Sequence, residues 1–316
     1  METTTYTVSM SPHIRGRQSI ETMMATFIIG LVPASLTAIY FFGIKALIIM
    51  VLSMATAGIV EAVIEKATHR ALTFKDYHAL LTGLLLALML PSSAPWWIPV
   101  VGATVAIVLG KALFGGLGNY PFNPAIVAWV VLRLSWPERM NLFFEPHTTN
   151  QALTPLMALK VDPGLFYSYD LTALFLGQKP GLIGTVSSLA VLIGGLFILY
   201  RGVIRWHIPI SFFAGIALFA LVLRYINPDV YPPVSFHLVS GGVFLAAFFL
   251  APEPVTSPVT VKGMITFGLL AGILTMIIRM WGAFPDGSFY AILIMNSATP
   301  LFNYLKPQAY GRSYRA

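Results

Sequence analysis

Apolar residues run in long stretches separated by short polar breaks, at about 20 to 43, 44 to 64, 77 to 91, 96 to 114, 123 to 136, 181 to 200, 207 to 226, 237 to 252, 261 to 281 and 288 to 305. A helix that crosses a bilayer needs roughly 20 such residues. The pattern therefore predicts an all-α polytopic membrane protein of about ten transmembrane helices, and 316 residues leave no room for a separate soluble domain.

The stretches fall into two groups with shared punctuation. The first has Thr82-Gly83, an apolar run and Pro91, and closes on Asn123-Pro124-Ala125; the second has Ser240-Gly241-Gly242, an apolar run and Pro252, and closes on Asn296-Ser297-Ala298-Thr299-Pro300. Five helices in each group is an odd number, so the second group must lie inverted relative to the first. In that architecture, short Gly/Pro-interrupted segments at matching positions line a central site. The third and eighth stretches, 15 and 16 residues long, are the candidates for broken helices facing it. The chain then divides into a five-helix repeat over 1–136, a connection over 137–180 and a second five-helix repeat over 181–316.

Composition agrees. Hydrophobic residues make up 57% and charged residues 10%, mean hydropathy is +0.79, and soluble domains run near a quarter charged. The net charge of +7 comes from Lys and Arg in ones and twos between apolar runs, which read as topology signals and not as a nucleic-acid stripe. Cysteine is absent, which excludes iron–sulfur ligation, disulfides and thiol catalysis by this chain. No cleavable signal precedes the first run, so that run is expected to be a retained helix.

With the N-terminus inside, twelve of the 19 basic residues fall on the cytoplasmic side and seven outside, which favours cytoplasmic termini. The long connection then lies on the outer face. Its mix of hydroxyls and apolar anchors, from Glu145 to Leu156, predicts a structured functional loop.

Soluble-enzyme constellations are missing: there is no phosphate loop, zinc-binding His pair or nucleophile elbow. The six His stand singly near helix ends, so a haem is not expected, and no metal site is. Among ionisable residues in or beside the spans, Glu61, Arg133, Glu253 and Asp286 are the ones to watch. Glu61 and Glu65, one turn apart and near Lys66, read as a solvated helix end. Physics alone fits a secondary transporter or channel, or a scaffold without cofactor, as readily as a redox subunit.

Motifs separate these readings. Ser11-Pro12-His13-Ile14-Arg15 and Asn119-Tyr120-Pro121-Phe122-Asn123-Pro124-Ala125 resemble the opening and the helix-five entry of the Rnf D and Nqr B family of membrane subunits. Ala251-Pro252-Glu253-Pro254-Val255-Thr256-Ser257-Pro258-Val259 resembles the family's second half, as do Phe284-Pro285-Asp286-Gly287, Met295-Asn296 and Thr299-Pro300-Leu301. The length favours the Rnf D branch.

The resemblance implies a flavin-carrying subunit of a prokaryotic inner-membrane complex that couples ferredoxin and NAD redox chemistry to Na⁺ or H⁺ translocation. It implies an FMN joined through its phosphate to a Thr hydroxyl in the outer loop, in a Ser/Thr-Gly-Ala-Thr setting followed by Pro-Leu. The matching residue is Thr154, before Pro155-Leu156; Gln151-Ala152-Leu153 departs from the pattern, and Thr148 and Thr149 stand where an acidic residue is usual. A residue-based alternative is that Thr154 caps a loop helix with Pro155 at its first position. The resemblance also marks Asn119 and Asn123 for a second, non-covalent flavin such as riboflavin, equally readable as helix-end ties, and Thr256 and Ser257 as further cofactor contacts. Implied partners are the A, B, C, E and G subunits and membrane lipid, with no nucleic acid.

Overall fold

Each of the ten apolar stretches carries a helix. The computed structural model describes residues 19–69, 76–148 and 150–304. The motif at 11–15, Thr149 and the basic residues Arg15, Arg17, Arg70, Lys75, Lys306, Arg312 and Arg315 lie outside the described residues.

The first group comprises α1 (Ile20–Phe42), α2 (Ile44–Ala67), α3 (His78–Leu88), α4 (Trp97–Val105), extended by a π turn (Ala106–Lys111), and α5 (Pro124–Ser135). The connection holds α6 (Pro137–Met140), α7 (Pro155–Val161) and α8 (Leu171–Leu176). The second group comprises α9 (Ser188–Tyr200), α10 (His207–Ile226), α11 (Val234–Val239), α12 (Val243–Leu245), which runs into a π turn (Ala246–Leu250), α13 (Val261–Trp281) and α14 (Ser288–Asn303). Among the described residues the extended pairings are two isolated bridges, Pro91 with Leu182 and Phe144 with Gln151.

Five helices are long and apolar enough to cross a membrane: α1, α2, Trp97–Phe114, α10 and α13. The long helices are apolar all round. In α1, Phe27, Leu31 and Ala34 are buried while Ile29, Leu36 and Tyr40 are exposed. Water would not tolerate that outer face; lipid would. The chain is thus a multi-pass membrane protein.

Helices in lipid gain little hydrophobic energy by meeting, so close packing depends on small residues that let backbones approach. At the crossing of α1 and α9, a Cβ placed on Gly194 would stand 1.8 Å from the Gly30 carbonyl oxygen. No larger residue fits there.

The short helix α3 is shielded by protein. Ten of the 11 residues of α3 are buried. This helix was expected to be broken; it is short but continuous, and irregular chain begins at its end. There the Ile183 amide donates to the Leu90 carbonyl at 2.9 Å, so backbone groups freed by Pro91 are satisfied by the start of the second group. The eighth stretch is interrupted as expected, at Ser240 to Gly242. Gly241 has φ of +73° there, and a Cβ would lie 2.4 Å from Asp286. Both requirements select glycine.

Candidate functional site

Two polar regions stand where chain irregularities meet. The first is built by the long connection. Thr154 is the N-cap of α7 and Pro155 its first residue, a pairing in which the missing Pro amide costs nothing and the Thr oxygen accepts from a free one. That oxygen accepts from the Met157 amide at 3.3 Å. The capping reading of Thr154 is therefore realised, and it leaves the hydroxyl proton unused.

Thr154 sits at the lip of a cleft of about 60 Å³ that is also lined by Trp129, Arg133, Lys179, Gly241 and Asp286. Arg133 is buried, donates to the Met140 carbonyl at 2.6 Å and lies 5.9 Å from the Trp129 ring. The buried Lys179 ammonium donates to the Val239 carbonyl and, at 3.4 Å, to Ser188 Oγ. Burial, with Arg279 pushing the same way, brings the Lys179 pKa down to about 7.

Asp286 closes the floor. Its carboxylate accepts from Arg279 at 3.0 Å, the Gly242 amide at 2.6 Å and the Ser288 amide at 3.2 Å. Burial alone would raise its pKa; Arg279 and these donors outweigh burial and hold it below the ordinary range. Arg279 also donates to the carbonyls of His237 at 2.7 Å and Ser240 at 2.9 Å, so one guanidinium satisfies the broken end of α11.

The second region joins the two groups. His78, at the start of α3, shares a 2.7 Å hydrogen bond with the Tyr120 hydroxyl, which donates to Glu253 Oε1 at 2.6 Å. Thr256 Oγ1 donates to the other carboxylate oxygen at 3.1 Å, and the Thr256 carbonyl accepts from Thr299 Oγ1 at 2.8 Å. Asn123 caps α5, accepting from the amides of Ala125 at 3.0 Å and Ile126 at 3.3 Å. With the Asn296 side-chain amide turned so that its oxygen faces Asn123, that oxygen accepts from the Asn123 backbone N–H at 3.2 Å. His78, Thr82, Asn123 and Glu253 border a cavity of about 20 Å³, room for a single water.

A family model described as the NQR2, RnfD, RnfE family matches residues 7–311. The chain belongs to this family. The D subunit of the Na(+)-translocating ferredoxin:NAD(+) oxidoreductase complex of Acetobacterium woodii is 44% identical over 311 residues, 96% of this chain and 95% of that protein. The D subunit of the ion-translocating oxidoreductase complex of Aliivibrio salmonicida is 36% identical, over 96% of this chain and 98% of its own length.

Within this family member, Asn123 and Thr256 meet in the inter-group network, whereas Asn119 is exposed and stands apart from it. Ser257 is half-buried, with its amide bonded to the Glu253 carbonyl at 3.0 Å. A ligand-sized pocket runs to about 300 Å³ or more, so the space beside Asn123 does not fit a second flavin as it stands.

The solvated reading of Glu61 is overturned. Glu61 is buried and forms an ion pair with Lys111 at the end of the α4 π turn. Lys111, Lys179 and Arg279, which read from the sequence as topology charges, are all buried. The sequence signal for Arg279 is Asp286, seven residues on and within the break at Gly282 to Gly287.

Proposed function

We propose that this chain is the flavin-carrying membrane subunit of an Rnf-type complex, relaying electrons while the complex couples ferredoxin and NAD chemistry to Na⁺ or H⁺ translocation. Two kinds of support converge: family membership along nearly the whole chain, and the placement of Thr154. The observation that carries the flavin is the Thr154 hydroxyl at the cleft lip, before Pro155-Leu156, with its proton uncommitted.

The residues fit a phosphoester. Capping uses the Thr154 oxygen only as an acceptor, so replacing its proton with phosphorus leaves the helix start in place. The cleft of about 60 Å³ is far below the size of a ligand pocket, so the three-ring part of FMN lies outside it. FMN, when bound, supplies one-electron chemistry. The chain's own part is to hold that group by a short tether on a loop built into three helices.

In this reading all ten apolar stretches lie in the membrane as two inverted five-helix repeats, 1–136 and 181–316, with 137–180 outside and both termini cytoplasmic. A polar side chain stands at the entry of the fifth helix in each group: Asn123 caps α5, and Asp286, just ahead of the Gly287 cap, accepts from the Ser288 amide at the start of α14. The buried ends of α3 and α11 support the reading of short helices that stop inside protein. Partners are the A, B, C, E and G subunits of the complex.

Mass spectrometry of the peptide covering 140 to 160, from protein made in its native host, tests the assignment. An FMN-phosphate adduct on Thr154 is expected. An unmodified peptide in an active complex would remove the flavin from this loop and return a transporter-like or scaffold role to first place.

A further inference from the structure

The cleft under Thr154 has an imbalance of charge. Arg133 and Lys179 line it and are only 7% and 3% exposed. The carboxylate that lines it, Asp286, is committed to Arg279 at 3.0 Å and to the amides of Gly242 and Ser288. His237 packs close by but offers Arg279 its carbonyl, not an anion. Three cations thus share one carboxylate, and neither Arg133 nor Lys179 has an ion-pair partner among the described residues.

Burying a cation without a counter-charge is strongly unfavourable, and in natural proteins such groups are paired or bound to a ligand. Both side chains keep donors in reserve. A lysine ammonium has three N–H groups and a guanidinium five. The hydrogen bonds described occupy two on Lys179 and one on Arg133, and the Tyr290 hydroxyl beside Arg133 takes at most one more. The shortfall is one of negative charge and acceptor oxygens, beside a hydroxyl, in a space too small for a ring system.

We propose that Lys179 and Arg133 form the seat of the phosphodiester that joins Thr154 to its flavin. This rests on the flavin reading above and adds to it the two side chains that fix the tether. A diester monoanion brings the charge the cleft lacks, and its two unesterified oxygens accept the reserved N–H groups as charge-assisted hydrogen bonds. Both residues act as positioning residues: they set where the tether leaves the protein and therefore where the flavin stands.

The protonation of Lys179 makes the seat observable. Burial and Arg279 hold its pKa down to about 7 without the anion; an anion in contact favours the charged form and raises it. A phosphodiester does not itself titrate in that range, so any step in its signal reports its neighbour.

The test is phosphorus NMR of the intact flavin-loaded protein, titrated through the lysine range, with flavin occupancy checked by mass. The wild-type resonance is expected to shift in one step with a midpoint above about 7. The step should vanish in Lys179→Met, while Lys179→Arg holds the low-pH position throughout. Arg133→Gln should displace the resonance at every pH; an unmoved signal removes Arg133 from the seat. If FMN is on Thr154 but the wild-type signal is flat, the seat is wrong and the flavin reading stands. If Thr154 carries no flavin, both fail. The wild-type titration decides even where a variant does not fold.

Discussion

The Tyr120 hydroxyl, from the first group of helices, donates to Glu253 Oε1, from the second, at 2.6 Å. Tyr120 lies in the irregular chain that leads into α5 and Glu253 in the chain that leaves the π turn at Leu250, so the contact ties the two groups together through their irregular segments. Removing it by Tyr120→Phe leaves the half-buried Glu253 with Thr256 as its side-chain partner and strands the His78 ring nitrogen. The expected cost is about 1–3 kcal/mol, read as a lower thermal midpoint in detergent with assembly retained. An unchanged midpoint would show that the bond does not join the groups.

The Glu61–Lys111 pair should behave as a unit. Glu61→Ala leaves a lysine buried without its partner, and breaking such a pair costs about 3–5 kcal/mol. Replacing both by Met should restore most of the loss, because two apolar side chains of similar volume need no counter-charge. Single-variant losses that simply add in the double variant would contradict this.

Helix crossing at Gly194 gives a sharper test of the fold. Gly194→Val should abolish monodisperse protein on size exclusion, since even a Cβ meets the Gly30 carbonyl at 1.8 Å. Gly58→Ala is the control: the nearest atom to its added Cβ is 3.8 Å away, and alanine favours the helix by about 1 kcal/mol. Equal yields from the two variants would put the α1–α9 contact in error.

Hydropathy located the helices because a bilayer imposes one length scale and one polarity on every span. Turn chemistry read locally also held at Thr154-Pro155, which begins a helix as cap and first residue. What stayed hidden depends on partners distant in sequence. A lysine near a helix end has the same local pattern whether it meets water or a carboxylate, and Lys111 meets Glu61 only through the packing of α4 against α2, where a π turn sets its direction. Lys179 was hidden for the same reason, since its neighbours Ser188 and Val239 come from two separate segments. The break in the eighth stretch was visible in Ser240-Gly241-Gly242; the continuity of α3 was not, because Gly83 serves there as a close-packing position against Met54, 2.8 Å from an added Cβ.

The absence of cysteine makes topology directly measurable. Tyr167, 67% exposed in the connection, can be changed to Cys on a clean background. A membrane-impermeant maleimide should label Tyr167→Cys in right-side-out membranes and not in sealed inverted ones. The reverse pattern would turn the inverted-repeat reading over in the membrane.

The central claim is that Thr154 carries the flavin, and in-gel flavin fluorescence of denatured protein tests it most directly. Thr154→Val is a poor choice alone, because it also removes the cap on α7, worth about 1 kcal/mol. Thr154→Asn keeps a capping side chain and lacks the hydroxyl that an ester requires. The wild type and Thr148→Val are expected to fluoresce, while Thr154→Asn stays dark although the protein inserts and assembles normally. Fluorescence that survives in Thr154→Asn, or is missing from the wild type, would contradict the account.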